Sequence, residues 1–405
     1  MTARPLEGVR VADLCWVGAG SYTTKILADQ GADVIKIESS AKIDGLRLSP
    51  PFAGRTPGVN RSGYFSDRNT SKRGITLNLK AERGREIARD LIAVSDVVSN
   101  NFTPGVMAKF GLAYEDVRAF NPSAIYLNMS MQGTEGPERH YLGYGLTMGA
   151  LVGLHHLTGI PGRSPVGTGT NYPDHLPNPC HGAFAVLAAL RHRRRTGEGQ
   201  MIDLAQTEPT IAALGPSILD YSVNGRDRGA QGNRHDRYAP HGVYPCRGED
   251  RWIALAVTAD QHWPALVDVL GLPEDQLDPA WRDEAIRRRD VEMIDALLAA
   301  ATAGRDADAL VVALQTVGVP AGQVYDAAGV VSDVQLAYRE HWLRLDHPEM
   351  GRTLYNNVPF KLSKSPSDVQ RRAPLLGEHT YDVCTELLGM SVDEVEGLIA
   401  DEVLV

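Results

Sequence analysis

The chain has 405 residues, 43% hydrophobic, 22% charged and 6% aromatic, with a formal net charge of -9. That length implies two domains, or one large domain with an excursion, and the composition excludes a disordered or fibrous chain. The acidic balance argues against a nucleic-acid partner, which needs a basic face to track phosphates.

The opening "VRVADLCWVG", "SYTTKILADQGA" and "DVIKIE" reads as a strand, a helix ending at Gly31 and a second strand. This βαβ unit implies a parallel sheet. The alternation continues through "GITLNL" (74–79), "REIARDLIAVS" (85–95), "DVVSNNF" (96–102) and "SAIYLNMS" (123–130), so the first section is α/β. Residues 181–190 are apolar nearly all round and predict a buried helix, closed by the cations of "RHRRRTGEGQ" near the negative end of its dipole. "MIDLAQTE" reads as one more strand or its exit. After the polar, glycine-rich "YSVNGRDRGAQGNRHDRYAP", the segment "HGVYPCRGEDRWIALAV" has hairpin character and is followed by amphipathic helices to about 315. The expected division is a large domain over 1–224, a smaller α+β domain over 225–330, and a C-terminal segment, 331–405, returning to the first. "VGVPAG" near 320 marks the return.

Cys15, Cys180, Cys246 and Cys384 are scattered, with no C-x-x-C pair, and are expected to be buried reduced thiols. "MTARPLEGVRVADL" lacks a sustained apolar leader, and no apolar run is long enough for a membrane helix. A cytoplasmic protein without a membrane partner fits both facts.

The glycine turn "WVGAGSYT" follows a strand, opens a helix and leads to an acid, Glu38, at the end of the next strand. It invites a dinucleotide reading, but Thr23 stands where the third glycine of G-x-G-x-x-G belongs. A nicotinamide oxidoreductase is therefore disfavoured. The backbone amides of this turn can still meet another nucleotide-like ligand.

Lys72 and Arg73 precede a strand, where they either meet phosphate or are solvated loop charges. Asn101, Phe102 and the Pro104-Gly105 turn, with Lys109 beyond, suit an adenine and its phosphates or a plain helix entry. His140 and Tyr141 form a polar turn before an apolar segment, where the histidine could shuttle protons near neutral pH. His155 and His156 lack the i, i+4 spacing of a helical metal pair, and no metal site is expected.

Asp174 is the most informative acid. It lies in "GTNYPDHLPNP", framed by prolines, and Asn178 followed by Pro179 is a good cap and first-turn pair for the next helix. An acid relieved of capping duty, yet near the positive end of a helix, is a candidate for chemistry.

Taken together these segments resemble the class III coenzyme A transferases, the family of formyl-CoA transferase, carnitine CoA-transferase and the α-methylacyl-CoA racemases. The matching pieces include "PLEGVRVADLCWVGAG", "LADQGADVIKIE", "NTSKRGITLNLKAERGREI", "NNFTPGVMAKFGL", "NPSAIYLNMSMQGTEGP", "TNYPDHLPNPCHGAFAVLAALRHRRRTGEGQMIDLAQTE" and "RAPLLGEHT". The resemblance implies a large Rossmann-like domain, a smaller domain and an interlocked homodimer. It implies no tightly bound cofactor, with coenzyme A and acyl-CoA as substrates and a carboxylic acid as acceptor.

In that family an aspartate before the helix is the nucleophile, and the matching position is Asp174. A carboxylate attacking a thioester gives an energy-rich mixed anhydride, which a thiolate or another carboxylate can reopen, whereas an alkoxide would give an ester too stable to return its acyl group. By the same resemblance coenzyme A would run past Val17 and Gly18, Asn69, Lys72 and Arg73, Asn101, Phe102, Lys109, and the turn of Arg139, His140 and Tyr141. Ser39 and Lys109 stand where formyl-CoA transferase has arginines, and its glycine-rich insertion is missing, which disfavours formyl or oxalyl transfer. The rival reading is an α-methylacyl-CoA racemase, in which His140 and Asp174 would move the α-proton. Tyr141 in place of an aspartate favours transfer. A mere coenzyme A binding module is opposed by the placement of Asp174.

Overall fold

The computed structural model describes residues 3–405, which divide into two compact units. Residues up to 155, 167–227 and 335–405 form the first; 156–166 and 228–334 form the second. The sequence reading kept everything before 225 together, whereas 156–166 groups with the second unit.

In the first unit, β1 (Arg10–Asp13), α1 (Gly18–Asp29), β2 (Asp33–Glu38), α2 (Gly63–Arg68), β3 (Arg73–Thr76), α3 (Glu82–Ala93), β4 (Val97–Asn100), α4 (Tyr114–Phe120) and β5 (Ile125–Asn128) alternate along the chain. They are followed by α5 (Gly145–Leu151), α6 (Leu154–Leu157), which straddles the boundary between the units, α7 (Tyr172–His175), α8 (Pro177–Thr196), β6 (Gln200–Asp203), α9 (Thr207–Ala213) and α10 (Gly215–Asn224). The six strands form one sheet in the order β3-β2-β1-β4-β5-β6, and every pairing in it is parallel. This is the doubly wound Rossmann arrangement, with its switch point between β1 and β4.

The period of two along each strand assigns its side chains to two layers. Val11, Val34, Val97 and Ile125 pack under α1 and α8, beside Leu27, Ala183, Val186 and Leu190. Their neighbours Ala12, Ile35, Val98 and Tyr126 face Ile87, Leu91 and Val117 of α3 and α4 on the other side. The C-terminal segment joins that second layer through Val383, Val395, Leu398 and Leu404, and His379 donates its amide to the carbonyl of Gly74 on β3 at 2.8 Å.

Helix α8 departs from the sequence reading. Gly182, Ala183, Val186, Ala189 and Leu190 are buried, but Phe184 is 71% exposed and Leu187 43%. The helix is apolar on two sides and uses one of them in this fold. A Cβ on Gly182 would stand 3.0 Å from Thr23, so the close helix approach that a third fingerprint glycine would have supplied on α1 is met by a glycine on α8 instead.

The second unit holds an antiparallel sheet of β7 (His241–Pro245), β8 (Trp252–Ala256) and β9 (Ala321–Gln323). The β7-β8 hairpin is the one read from "HGVYPCRGEDRWIALAV". Ile253, Leu255, Trp263, Leu266, Ile294, Leu298, Leu310 and Leu314 form its core with helices His262–Leu270, Val291–Thr302 and Ala307–Thr316. Pro320 leads into β9 rather than out of the unit, which ends at Val334.

Candidate active site

A cleft of about 740 Å³ opens along the C-terminal edge of the parallel sheet. Its walls come from the loops that follow the strands: Trp16 to Gly18 after β1, Ser39 to Lys42 after β2, Leu77 to Lys80 after β3, Asn101 to Thr103 after β4, Ser130 and Met131 after β5, and Gln206 after β6. Open parallel sheets present their ligand crevice at this edge. Asp174 sits in the lining, together with Tyr141 and Tyr144.

The β1 loop is strapped from two sides. Trp16 donates its amide to Asn101 Oδ1 at 2.8 Å, and Asn101 Nδ2 donates back to the Trp16 carbonyl at 2.6 Å. The Val17 amide donates to Asp44 Oδ1 at 3.0 Å, and Val17 is held at φ 61° and ψ -154°, a conformation β-branched residues avoid. Asp44 is itself fixed by a fully buried ion pair with Lys36 at 2.9 Å. The strain at Val17 turns the chain directly into α1, so that Gly18 meets Asp174: a Cβ there would stand 3.0 Å from the Asp174 Cβ.

Asp174 lies on the single turn of α7 and is 5% exposed. Its Oδ2 accepts the amide of Gly145, the first residue of α5, at 2.9 Å. It therefore caps α5, a helix 29 residues back in sequence, and not the helix that follows it. No side-chain cation pairs with it among the described residues. Burial pushes its carboxyl up to about 6, with the Gly145 amide pulling the other way. Asn178, read as the cap of the next helix, lies inside α8 and donates from Nδ2 to Gln206 Oε1 at 3.3 Å. The helix starts at Pro177, whose fixed φ suits a first turn.

Next to Asp174, His175 joins two hydroxyls: Nε2 shares a 2.6 Å hydrogen bond with Tyr64 and Nδ1 a 3.0 Å bond with Thr170. Burial, assisted by the charge of Arg68, lowers the imidazole to about 4, so it is neutral at physiological pH. Sequence reading missed this pair, because Tyr64 and His175 stand 111 residues apart and neither position carries a local signal.

The structure brings part of the sequence-derived set together. Val17, Gly18, Asn101, Phe102, Tyr141 and Asp174 line the cleft. Trp16, Lys42 and Lys80 line it too and were not singled out; Phe102 meets Trp16 edge to face at 5.5 Å, and the Lys42 ammonium lies 5.6 Å from the indole centre. Lys109, Arg139 and His140 are exposed and lie outside its lining.

Four residues are corrected. Lys72 is fully buried, with Nζ donating to Asp13 Oδ2 at 2.9 Å, Thr24 Oγ1 at 2.7 Å, Asn69 Oδ1 at 2.9 Å and the Ser21 carbonyl at 2.9 Å. It is the counter-ion of a buried carboxylate, and Asn69 serves that network. Arg73 makes a two-pronged pair with Asp33, at 2.9 and 2.6 Å, at the N-terminal end of β2 and β3. That is the edge of the sheet away from the cleft. Glu38, the strand-end acid, is likewise taken: Arg47 donates to its two oxygens at 2.9 and 2.8 Å, which leaves no free carboxylate for a ribose.

Comparison with known proteins agrees with this layout. Residues 6–380 match the model of "CoA-transferase family III". The "Succinyl-CoA--D-citramalate CoA-transferase" of Chloroflexus aurantiacus is 33% identical over 99% of this chain and 98% of its own. The "Succinyl-CoA:mesaconate CoA-transferase" of Haloarcula marismortui is 33% identical over 94% of this chain and 96% of its own. Among solved structures, a CaiB/BaiF family protein from Brucella suis superposes with a TM-score of 0.87 at 31% identity, covering 95% of this chain and all of that one.

Proposed function

The chain belongs to CoA-transferase family III, and from that premise we propose that Asp174 carries coenzyme A from a dicarboxylic acyl-CoA donor to a carboxylic acid acceptor. The supporting observation is an unpaired, nearly buried carboxylate in the wall of a nucleotide-sized cleft at the switch point of a parallel sheet. The dicarboxylate class follows from relatives whose names pair succinyl-CoA with citramalate and mesaconate.

An Asp174 oxygen attacks the donor thioester carbonyl, the C–S bond breaks, and coenzyme A leaves as thiolate. The thiolate then attacks the aspartyl carbonyl of the anhydride, the bridging C–O bond breaks, and the donor acid departs. The acceptor carboxylate attacks the resulting aspartyl thioester, and the released thiolate attacks the acceptor acyl carbon, which regenerates the Asp174 carboxylate. No net proton is consumed, so the site needs a desolvated nucleophile and water exclusion more than an acid or base. Burial supplies the first. The racemase reading is not favoured: the matched family and relatives are transferases, and His140, its required base, is exposed.

The active form is read as a homodimer. Phe184, Leu219, Tyr221 and Val223 of α8 and α10 are 71%, 62%, 64% and 76% exposed, an apolar surface that a monomer rarely leaves to water. Changing Phe184 to glutamate is expected to yield monomer on a sizing column; a monomeric wild type would remove this part.

The test of the chemistry is to incubate the enzyme with succinyl-CoA and hydroxylamine and map the adduct by mass. A hydroxamate on Asp174 is expected. Deuterium entry at the α-carbon without that adduct would restore the racemase.

A further inference from the structure

Beside the reacting carboxylate lies a small polar cluster that the transfer of coenzyme A does not use. It is built by one turn each of α1, α2 and α7. Tyr64 and Arg68 occur at i and i+4 on α2, so they share a face. That face meets Tyr22 of α1, whose ring lies 4.4 Å beneath the Arg68 guanidinium, and His175 of α7.

Three observations mark it as a receptor for an anion. First, Nε of Arg68 is buried and donates to no group among the described residues. The Arg68 side chain is 13% exposed, and a guanidinium that far out of water with an unmet donor is a standing cost unless something accepts from it. The adjacent Asp67 pairs with it through Nη1 and leaves Nε unmet, while the other Asp67 oxygen accepts a 2.7 Å hydrogen bond from Asn356 Nδ2.

Second, the histidine between Thr170 and Tyr64 is neutral and so has one donor and one acceptor nitrogen. If Thr170 donates its hydroxyl to Nδ1, Nε2–H must donate to the Tyr64 oxygen. The phenolic proton is then not held by the imidazole, and the hydroxyl, which also meets the Asn171 side chain, can donate to a group beside the ring.

Third, the distance fits. A point built on Gly18 as a Cβ lies 3.6 Å from the Tyr64 hydroxyl and 3.6 Å from the Asp174 carboxyl carbon, so the two are no further apart than twice that separation. A two- or three-carbon spacer on an acyl group joined to Asp174 is long enough to bring its far end to the Tyr64 hydroxyl, beside Arg68, whose guanidinium lies 5.8 Å from the Tyr64 ring centre, although neither residue lines the cleft itself. The charge on Asp174 disappears when it is acylated, which removes its own repulsion at the moment the second carboxylate must be held and leaves only Asp67, whose charge Arg68 already offsets.

Resting on the transferase reading above, we propose that Arg68 and Tyr64, with His175 as a positioning residue, bind the distal carboxylate of a succinyl-type group while Asp174 holds the reacting one. The cluster thereby selects dicarboxylic over monocarboxylic acyl groups of equal length. The selection is by charge and hydrogen bonding, since succinyl and butyryl differ little in size.

The experiment compares kcat/KM for succinyl-CoA and butyryl-CoA, with a common acceptor acid, in wild type and variants. Wild type is expected to favour succinyl-CoA. Arg68→Met and Tyr64→Phe are expected to lower the succinyl-CoA value by about 10- to 100-fold while changing the butyryl-CoA value by no more than about threefold, as loss of a charge-assisted contact requires. Tyr64→Phe removes one oxygen and keeps the ring, so it remains informative if Arg68→Met disturbs α2. His175→Phe should reproduce the loss, and His175→Gln, which keeps an N–H donor, should restore part of it; a purely structural histidine would depress both substrates alike. Equal losses for the two substrates, or an unchanged ratio, overturn the proposal while leaving the transferase intact. A wild type that moves neither acyl group would instead sink the transferase reading itself, and this one with it.

Discussion

The Gly145 amide donates to Asp174 Oδ2 at 2.9 Å, and among the described residues this is the hydrogen bond that tethers the carboxylate in the cleft wall, with no cation paired to it. A single neutral donor orients the carboxylate without quenching it. A cation there would have lowered both its pKa and its nucleophilicity, so the tether and the raised pKa belong to the same design.

The first consequence is a pH profile. Burial raises the Asp174 carboxyl to about 6, and the protonated acid cannot attack a thioester. For the free enzyme, kcat/KM with an acyl-CoA should be level above that value and fall tenfold per pH unit below it, with a single proton involved. Initial rates between pH 4.5 and 8.5, with stability checked at each pH, decide this. A limb near the ordinary aspartate value would mean that the acid is solvated in the working enzyme.

The second consequence is a stability trade-off. An acid whose folded pKa is raised binds more protons folded than unfolded in the window from about 4 to 6, so its ionised form costs stability above that window and the cost fades as pH falls through it. Asp174→Asn should abolish transfer, and at pH 8 it should stabilise the fold by about 2–3 kcal/mol. Near pH 4 the gain should vanish. Urea melts of both proteins at the two pH values test the sign, and a destabilised variant at pH 8 contradicts it.

A third concerns Lys72. Removing one member of a buried pair strands the other, so Lys72→Met should cost about 3–5 kcal/mol, and adding Asp13→Asn should recover most of it. Asp13 is buried, yet Lys72 and Lys36 hold its carboxyl below the ordinary value. If Lys72→Met melts like wild type and merely binds coenzyme A more weakly, the assignment to the core is wrong.

Legibility in the sequence followed the range of the interaction. The alternation of β1 to β5 with their helices was readable because burial on two sheet faces imposes a period of two on residues such as Val11 and Ala12. Asp174 stood out because prolines frame it and its surroundings resemble a known family. What Asp174 binds was not readable: its donor is 29 residues away, and the nearer amides of α8 looked equally suitable. Lys72 misled for the same reason, since two cations before a strand say nothing of Asp13, 59 residues earlier, which fixes one of them. The apolar second face of α8 was read as burial within one chain, although hydrophobicity states that a face is to be covered and not by what.

The last prediction isolates the close approach at the start of α1. Gly18 is not in the left-handed region, so an alanine there is no backbone problem and suits a helix start. Its Cβ, however, would come within 3.0 Å of the Asp174 Cβ and 3.6 Å of the Tyr64 hydroxyl. Tyr64 can give way by a small ring movement. Asp174 cannot follow without stretching its bond from Gly145, because α7 is one turn long and closed on its far side by Pro177. Gly18→Ala should therefore fold with a melting temperature near that of wild type and lose about 10- to 100-fold in kcat, the loss expected when a reacting group is displaced by a fraction of its working distance. Restored hydroxamate capture without restored turnover would show that the first attack survives and the later steps suffer. Full turnover in the alanine variant would mean that the added methyl group does not displace Asp174 from its working position.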